Sequence, residues 1–248
     1  MTKIVAFHSF RRGAGTSNLL ANCSALLAAG GKRVGIIDTD FQSPSAHILF
    51  GLADSKLKKT MNDYLWQGGD IREAVYDVTP TGMPGRLFLA PANPEIGYVM
   101  RILKEGYNLD RLASALSEML KAFQLDFLLI DTSAGLNEET LVSLAASDML
   151  MLVLRLDKQD YQGTAVIVSL AERLEIPRME LIVNHMPASF REEDVRREVQ
   201  NTYQTPVAAV FPDTEEMLAL ASSAIFAVKY PTHPMTTALR KLTDSFLK

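Results

Sequence analysis

The sequence predicts an α/β fold, a mainly parallel twisted sheet of about seven or eight strands with helices on both faces. Short apolar runs alternate with longer stretches of helical periodicity along the chain. The apolar runs are rich in Val, Ile, Leu and Phe and do not alternate with polar residues, which is typical of strands buried on both faces. The 248 residues, of which 48% are hydrophobic and 22% charged, suffice for one domain with a sizeable core.

The expected elements follow one another in a regular order. Strands are expected at residues 4–8, 34–37, 87–90, 127–130, 149–154, 181–183 and 207–211. Helices are expected at residues 17–29, 109–123, 137–147, 160–174, 191–202, 214–221 and 235–247. The turn-rich segment 79–85 is expected to be a loop inside a single domain spanning 1–248, because one sheet needs the strands on both sides of it. Ligands of such sheets bind at the carboxyl ends of the strands, so functional residues are expected directly after the apolar runs.

Charge and composition narrow the class of protein. The formal net charge of −4 argues against a molecule that binds polyanions with its whole surface. Cys23 is the single cysteine, so no intramolecular disulfide can form, which is typical of a reducing compartment. The four histidines are scattered, and we expect no zinc site. The chain lacks a signal-peptide pattern and any charge-free stretch of about 18 residues, so we expect a cytoplasmic protein without a spanning helix.

The segment after the first strand has the context of a phosphate-binding loop. Gly13 and Gly15 precede a helix rich in Ala and Leu. Glycines let backbone N–H groups converge on an anion, and the helix dipole adds partial positive charge. In the usual P-loop pattern of Gly, four residues and Gly-Lys-Ser/Thr, Gly15 and Ser17 match, whereas Phe10 and Thr16 replace the first glycine and the lysine. On this segment alone, a nucleotide site and a simple glycine turn both remain open.

Carboxylates follow two other apolar runs. Asp38 and Asp40 come after the second expected strand, and Asp131 ends the run at 126–131, shortly before Gly135. This last segment looks like a Walker B strand, whose acid holds a magnesium-bound water beside the hydroxyl of a P-loop. The alternative is that each acid simply ends a strand at the solvent. Three acids at these positions favour the nucleotide interpretation more than any one of them does.

The order and spacing of these segments resemble the MinD/ParA family of deviant Walker A P-loop ATPases, of the SIMIBI class, over roughly residues 3–225. The loop at 11–17 corresponds to the family's Lys-Gly-Gly-x-Gly-Lys-Thr, and 38–40 to its Asp-x-Asp. The segment 131–135 corresponds to Asp-x-Pro-x-Gly, Asn184 looks like the adenine-reading asparagine, and 211–213 resembles the late Pro-acid segment beside adenine. The resemblance implies a P-loop NTPase-like fold.

The resemblance also implies cofactors, ATP or ADP with Mg²⁺, and a role for each matched residue. The phosphates would be held by the loop residues Gly13, Ala14, Gly15, Thr16 and Ser17. The metal shell would involve Ser17, Asp38 and Asp131. Adenine would be placed by Asn184, Pro212 and Asp213. The catalytic pair would be Asp40, which orients the attacking water, and Arg11, in place of the family lysine that reaches a partner's nucleotide across a dimer.

The loop departs from the family at three positions. Arg11 keeps the charge of the first lysine, Arg12 replaces a glycine, and Thr16 replaces the second lysine without its charge. Losing one charge-assisted hydrogen bond, worth roughly 1.5–3 kcal/mol, would weaken binding about ten- to a hundredfold. We therefore expect ATP binding, while the ATPase reaction, ATP plus water to ADP plus phosphate, is left open. Arg11, Arg12 or Lys158 are candidates for compensation, although a solvated loop lysine is the favoured explanation of Lys158.

Three functions are compatible with this resemblance. The first is an ATP-dependent dimer switch that positions or partitions an intracellular cargo, with a nucleotide-dependent homodimer and an unidentified cargo or adaptor protein as partners. The second is a pseudo-ATPase scaffold of the same fold with weak or no hydrolysis. The third is a metabolic SIMIBI-type enzyme, which is not favoured because the chain carries no further substrate motif.

The sequence does not clearly predict a DNA or membrane surface. On the expected helix at 191–202, acidic residues separate the basic ones, Arg191, Arg196 and Arg197, which indicates a solvated face. The last helix carries Leu239, Leu242 and Phe246 on one face. Packing of this face on the parent domain is favoured over insertion in a membrane.

Overall fold

A computed structural model describes residues 2–247 and contains one sheet of eight strands. The strands are β1 (Lys3–His8), β2 (Arg33–Asp38), β3 (Tyr76–Asp77), β4 (Arg86–Ala90), β5 (Phe127–Asp131), β6 (Met149–Leu154), β7 (Arg178–Met186) and β8 (Val207–Pro212). Their order in the sheet is β3-β4-β2-β5-β1-β6-β7-β8. Every neighbouring pair is parallel except β3 and β4, which are antiparallel. The prediction of a mainly parallel sheet is confirmed.

Helices connect the strands, and all seven expected helices form. The α-helices are α1 (Thr16–Ala29), α2 (Ala46–Leu49), α3 (Met61–Gln67), α4 (Ile96–Glu105), α5 (Leu109–Phe123), α6 (Glu138–Ala145), α7 (Lys158–Arg173), α8 (Glu192–Tyr203), α9 (Glu215–Leu220), α10 (Phe226–Lys229) and α11 (Pro234–Ser245). Two short 3₁₀ turns lie at Asp54–Lys56 and Ile71–Ala74. The sequence did not predict α2, α3, α4, α10 or the strand β3.

Both faces of the sheet are covered by helices. On β1, Val5 and Phe7 pack in one core with residues of α1, α10 and α11. Ala6, between them, points to the opposite face and packs in a core with residues of α7 and α8. A third core, under α3 and α5, covers the same opposite face beside β5, where it receives Leu128 and Ile130. Burial on both sides accounts for strands that read as continuous apolar runs.

The C-terminal helix α11 packs on the sheet. Leu239, Leu242 and Phe246 are buried, and the Phe246 ring lies 6.1 Å from that of Phe7 in an edge-to-face arrangement. The apolar face of this helix is therefore used inside the fold, as the sequence favoured. Among residues 2–247, every helix is too short or too polar to cross a membrane.

The topology brings three strand ends to one edge. β1 lies between β5 and β6, and β2 is the next strand beyond β5. In this register Asp131 of β5 pairs with Phe7 on one side and with Asp38 on the other. The loop after β1 and the carboxylates that end β2 and β5 therefore share the carboxyl edge of the sheet, where ligands of such folds bind.

Candidate functional site

A cavity of about 410 Å³ opens where these strand ends meet. Its walls come from the loop between β1 and α1, from the segment after β2 and from the segment after β5. They include Ser9, Arg12, Gly13, Gly15, Thr16, Ser17, Asp40, Ser43, Thr132 and Ala134. The sequence predicted this meeting of the loop with Ser17 and Asp40.

The glycines of the loop have a backbone conformation that other residues rarely adopt. Gly13 has φ 82° and Gly15 has φ 87°, both in the left-handed region. A Cβ atom on Gly15 would also lie 2.3 Å from Nδ2 of Asn184. No side chain caps the start of α1, so the first-turn N–H groups of that helix are free to meet an anion. The backbone thus has the form of a phosphate cradle.

Thr16 stabilises the conformation of the loop through a hydrogen bond and brings no positive charge to the cavity. Its side chain is nearly buried, and its hydroxyl donates to Oγ of Ser9 at 3.0 Å. The Ser9 hydroxyl in turn donates to the carbonyl of Arg11 at 2.9 Å. The position that holds a phosphate-binding lysine in the P-loop pattern therefore closes a hydrogen-bond chain within the loop.

Arg11 is held on its own chain. Its Nη1 atom lies 3.1 Å from Oδ1 of Asp157 and 3.6 Å from Oδ1 of Asp160, at the start of α7. Lys158, the first residue of that helix, is exposed nearby. Arg11 is absent from the cavity walls among the described residues. To reach a second subunit, Arg11 would have to exchange these carboxylates for a new partner.

Arg12 lies in the cavity wall and forms a two-pronged pair with Asp40. Its Nη1 and Nη2 atoms donate to the two carboxylate oxygens at 2.7 and 3.2 Å. The backbone N–H of Ser43 also donates to Asp40, at 3.1 Å. Arg12 was a candidate to compensate for the missing lysine, and Asp40 was expected to act in catalysis. The structure shows that these two residues form an ion pair at the mouth of the cavity.

Two buried carboxylates lie below the loop. Asp38 accepts hydrogen bonds from the N–H groups of Asp40 and Ala46 at 2.9 and 3.3 Å. Burial raises the pKa of Asp38 well above its usual value, and the charges of Asp131 and Asp40 add to that rise. Burial also raises the pKa of Asp131 to about 7, against a hydrogen bond with Ser17 that lowers it. Burying two acids side by side costs free energy unless something positive offsets it.

The donor set fits a magnesium ion held with a nucleotide. Oδ1 of Asp131 is buried without a hydrogen-bond partner, and the Ser17 side chain is close enough to this carboxyl group to lower its pKa. Oxygen ligands of this kind are those that Mg²⁺ prefers, usually with water and phosphate completing the shell. Within residues 2–247 no three His, Cys, Asp or Glu side chains cluster as a complete metal site. The protein alone supplies only part of a coordination shell.

The structure adds two polar residues that the sequence analysis missed. His8, the last residue of β1, is buried, and its Nδ1 lies 2.7 Å from Oγ1 of Thr132. That hydroxyl donates to the carbonyl of Phe7 at 2.9 Å, so it accepts from the histidine. Burial lowers the pKa of His8 to about 4, so the ring is neutral at physiological pH. In the sequence, the position of His8 at the end of the first strand, directly before the glycine loop, could have indicated that it lies at the site.

The residues expected around adenine lie on the other side of the loop. A bulge between β7 and β8 lies at Asn184 and His185, and Nδ2 of Asn184 donates to the carbonyl of Ala14 at 2.8 Å. His185 has φ 56°, and its Nδ1 lies 2.6 Å from Oδ1 of Asp213, which follows Pro212 at the end of β8. Asn184 therefore contacts the loop, while Asp213 bonds His185, a residue that the sequence did not single out.

Comparison with known proteins places this arrangement in a family. The model of a family described as AAA domain matches residues 2–180. An uncharacterized ATP-binding protein of Methanocaldococcus jannaschii is 26% identical over 100% of this chain and 88% of its own length. The septum site-determining protein MinD of Pyrococcus horikoshii, solved in complex with Mg-ADP, superposes with a TM-score of 0.82 at 23% identity, covering 100% of this chain and 97% of that one. A plasmid partition protein of Borrelia burgdorferi bound to AMPPNP reaches 0.80 at 17% identity, covering 100% and 99%.

Proposed function

We propose that this chain, which belongs to the AAA-domain family and to the MinD/ParA group of P-loop ATPases, binds ATP or ADP with Mg²⁺ at the loop after β1. The observation that carries the proposal is the cradle itself. Two left-handed glycines and free amides of α1 lie above a buried carboxylate with an unpartnered oxygen. A bound phosphate would accept hydrogen bonds from the amides, and a bound cation would offset the charge of the buried carboxylate.

Each residue has a defined part in nucleotide binding. The amides of residues 13–16 would receive the phosphates, and Ser17 with Asp38 and Asp131 would hold Mg²⁺, directly or through water. Mg²⁺, when bound, offsets phosphate charge and the charge of the buried acids. Asn184 on one side of the loop, with Pro212 and Asp213 beyond it, would place the base.

We infer that the bound nucleotide controls association of two copies of this chain. Members of the group act in positioning and partitioning, and the cargo or adaptor protein of this chain is a matter for experiment. Arg11 is the proposed contact across the dimer, after release from Asp157. Asp40 would orient the attacking water. Turnover is expected to be slow because Thr16 brings no charge to the phosphates.

DNA is not part of the proposal. On α8, Arg196 pairs with Glu192 at 2.9 Å, and Arg197 pairs with Asp194 at 2.8 Å. Arg191 also lies near two acidic residues, Glu193 and Asp194. Charges satisfied in this way attract few phosphates, since the neighbouring carboxylates repel them.

Calorimetric titration with Mg-ATP tests nucleotide binding. The parent protein is expected to bind Mg-ATP, and EDTA or the variant Ser17→Ala is expected to weaken that binding. A parent that binds neither Mg-ATP nor Mg-ADP would refute the proposal.

Light scattering after gel filtration tests the dimer. The mass is expected to double with Mg-ATP in the parent but not in Arg11→Ala. A monomer at saturating Mg-ATP would refute the dimer switch. The same measurement on Lys158→Ala decides whether that exposed lysine reaches the partner, and an unchanged dimer excludes it. Phosphate release, measured on the same samples, gives turnover separately from binding.

A further inference from the structure

The charge balance of the cavity depends on one cationic side chain. Among the described residues in its walls, Arg12 carries the single positive charge, and Asp40 the single negative one. A cationic side chain strengthens the binding of a triphosphate beyond what amides and metal supply, since each charge-assisted hydrogen bond is markedly stronger than a neutral one. Thr16 supplies none, and its hydroxyl is already engaged with Ser9.

The other arginine of the loop is turned away. Arg11 is held between Asp157 and Asp160, and the second of these is almost fully buried. Leaving that position would break two ion pairs, one with a carboxylate that burial keeps in place. Arg12, in contrast, is half exposed and already lies in the cavity wall.

The pair with Asp40 leaves Arg12 ready for an anion. A guanidinium group has five N–H donors, and Asp40 uses two of them. The carboxylate is itself fixed by the N–H of Ser43, so it holds the guanidinium plane in the cavity wall. The remaining donors are available to phosphate oxygens, for which the planar fork of arginine is well suited.

The position of Arg12 indicates which phosphates it meets. Arg12 leans on Asp40, which follows β2, whereas Asn184 contacts the loop from β7. β2 and β7 lie on opposite sides of β1 in the sheet. If the base lies on the side of Asn184, Arg12 lies at the opposite end, beside the terminal phosphates.

We propose that Arg12 is the phosphate-binding cation of this site, taking the place of the lysine that position 16 lacks, and that Asp40 positions it. This inference rests on the proposed nucleotide binding. A consequence follows for a lysine introduced at position 16. Because that lysine and Arg12 would serve the same phosphates, the gain from the lysine is larger when Arg12 is absent.

The test is calorimetric titration of Mg-ATP and of AMP into the full-length protein and four variants: Arg12→Ala, Thr16→Lys, the double variant, and the control Arg197→Ala. Arg197 is likewise an exposed arginine paired with an aspartate, but lies on α8. Arg12→Ala is expected to weaken Mg-ATP binding about ten- to a hundredfold, the range expected for loss of one charge-assisted bond. AMP binding should change less than about twofold, because AMP lacks the terminal phosphates that Arg12 serves. Arg197→Ala should match the parent.

The results separate this inference from the function on which it rests. Unchanged Mg-ATP binding in Arg12→Ala, with a parent that binds, overturns the role of Arg12 and leaves nucleotide binding intact. Equal losses for Mg-ATP and AMP also overturn it, since they indicate a general effect on the site. Identical gains from Thr16→Lys with and without Arg12 would show that the two side chains serve different places. A parent that binds no nucleotide overturns both proposals.

Discussion

A substitution far along the chain tests how the phosphate loop is held. Phe10, at the place of the first P-loop glycine, packs against Gly163 in the middle of α7. A Cβ atom on Gly163 would lie 2.0 Å from Cδ1 of the phenylalanine and 2.7 Å from its Cβ. The ring can rotate, but its Cβ is fixed to the loop backbone. Gly163→Ala therefore has to displace the loop or the helix.

The magnitude follows from two opposing effects. Alanine is favoured over glycine in a helix interior by about 0.8–1 kcal/mol. Overpacking a filled site costs typically about 1–3 kcal/mol. Gly163→Ala should thus be neutral to destabilising by about 2 kcal/mol. Gly97→Ala, near the start of α4 with no atom within 4 Å of the new Cβ, should instead stabilise by up to about 1 kcal/mol.

Urea denaturation of Gly163→Ala in the parent and in Phe10→Gly measures the coupling. Phe10→Gly removes both the ring and its Cβ, so Gly163→Ala should become stabilising in that background, like the control at Gly97. The expected coupling is about 1–3 kcal/mol, and a value below about 0.5 kcal/mol would refute the packing argument. Because the loop has to move, Mg-ATP affinity should fall in Gly163→Ala and recover in part when Phe10 is also replaced.

Three further outcomes are expected. Gly15→Ala should abolish tight Mg-ATP binding in calorimetry, since φ is 87° and the new Cβ would lie 2.3 Å from Asn184; parent-like affinity would contradict this. Asp131→Asn should stabilise the nucleotide-free protein near pH 8 by on the order of a few kcal/mol. Burial raises the pKa of Asp131 to about 7, so the native carboxyl takes up its proton first and the advantage of the variant should shrink as pH falls towards 4; urea denaturation showing the reverse trend would contradict it. Cys23 is buried with its pKa raised to about 12 by burial, so a thiol reagent should label it only as fast as the protein unfolds.

The sheet was predictable because its strands are long and buried on both faces, which leaves a strong apolar signal. β3 was missed because it has two residues, Tyr76 and Asp77, too few for any periodicity. Helix α3 left a signal that was overlooked, the pair Thr60 and Asp63, which forms a capping box at its start. Helix α4 also left a signal that was overlooked, since its apolar residues recur at helical spacing from Ile96 onward, although Ile96 itself is 72% exposed.

The site was predictable to the extent that topology determines it. Strand order alone brings Asp38 and Asp131 side by side, so carboxylates at strand ends predicted the right edge of the sheet. The partners of the charged side chains were not predictable. Arg11 binds Asp157 rather than facing the cavity because of the way α7 packs beside the loop. The two residues are 146 positions apart in the sequence. Spacing in the sequence carries no information about such a contact.

The backbone conformation of the phosphate loop and the charge of its side chains are separate properties. This chain keeps the conformation of a phosphate-binding loop but lacks the lysine charge at position 16. The conformation depends on the left-handed glycines, on the hydroxyl of Thr16 bonded to Ser9, and on Asn184 bonded to the carbonyl of Ala14. None of these needs a lysine. A lysine at position 16 would even remove the bond to Ser9, so a gain in phosphate charge would come with a looser loop. For this reason Thr16→Lys should raise affinity for Mg-ATP by less than the full value of a charge-assisted hydrogen bond, about 1.5–3 kcal/mol, even where Arg12 is absent.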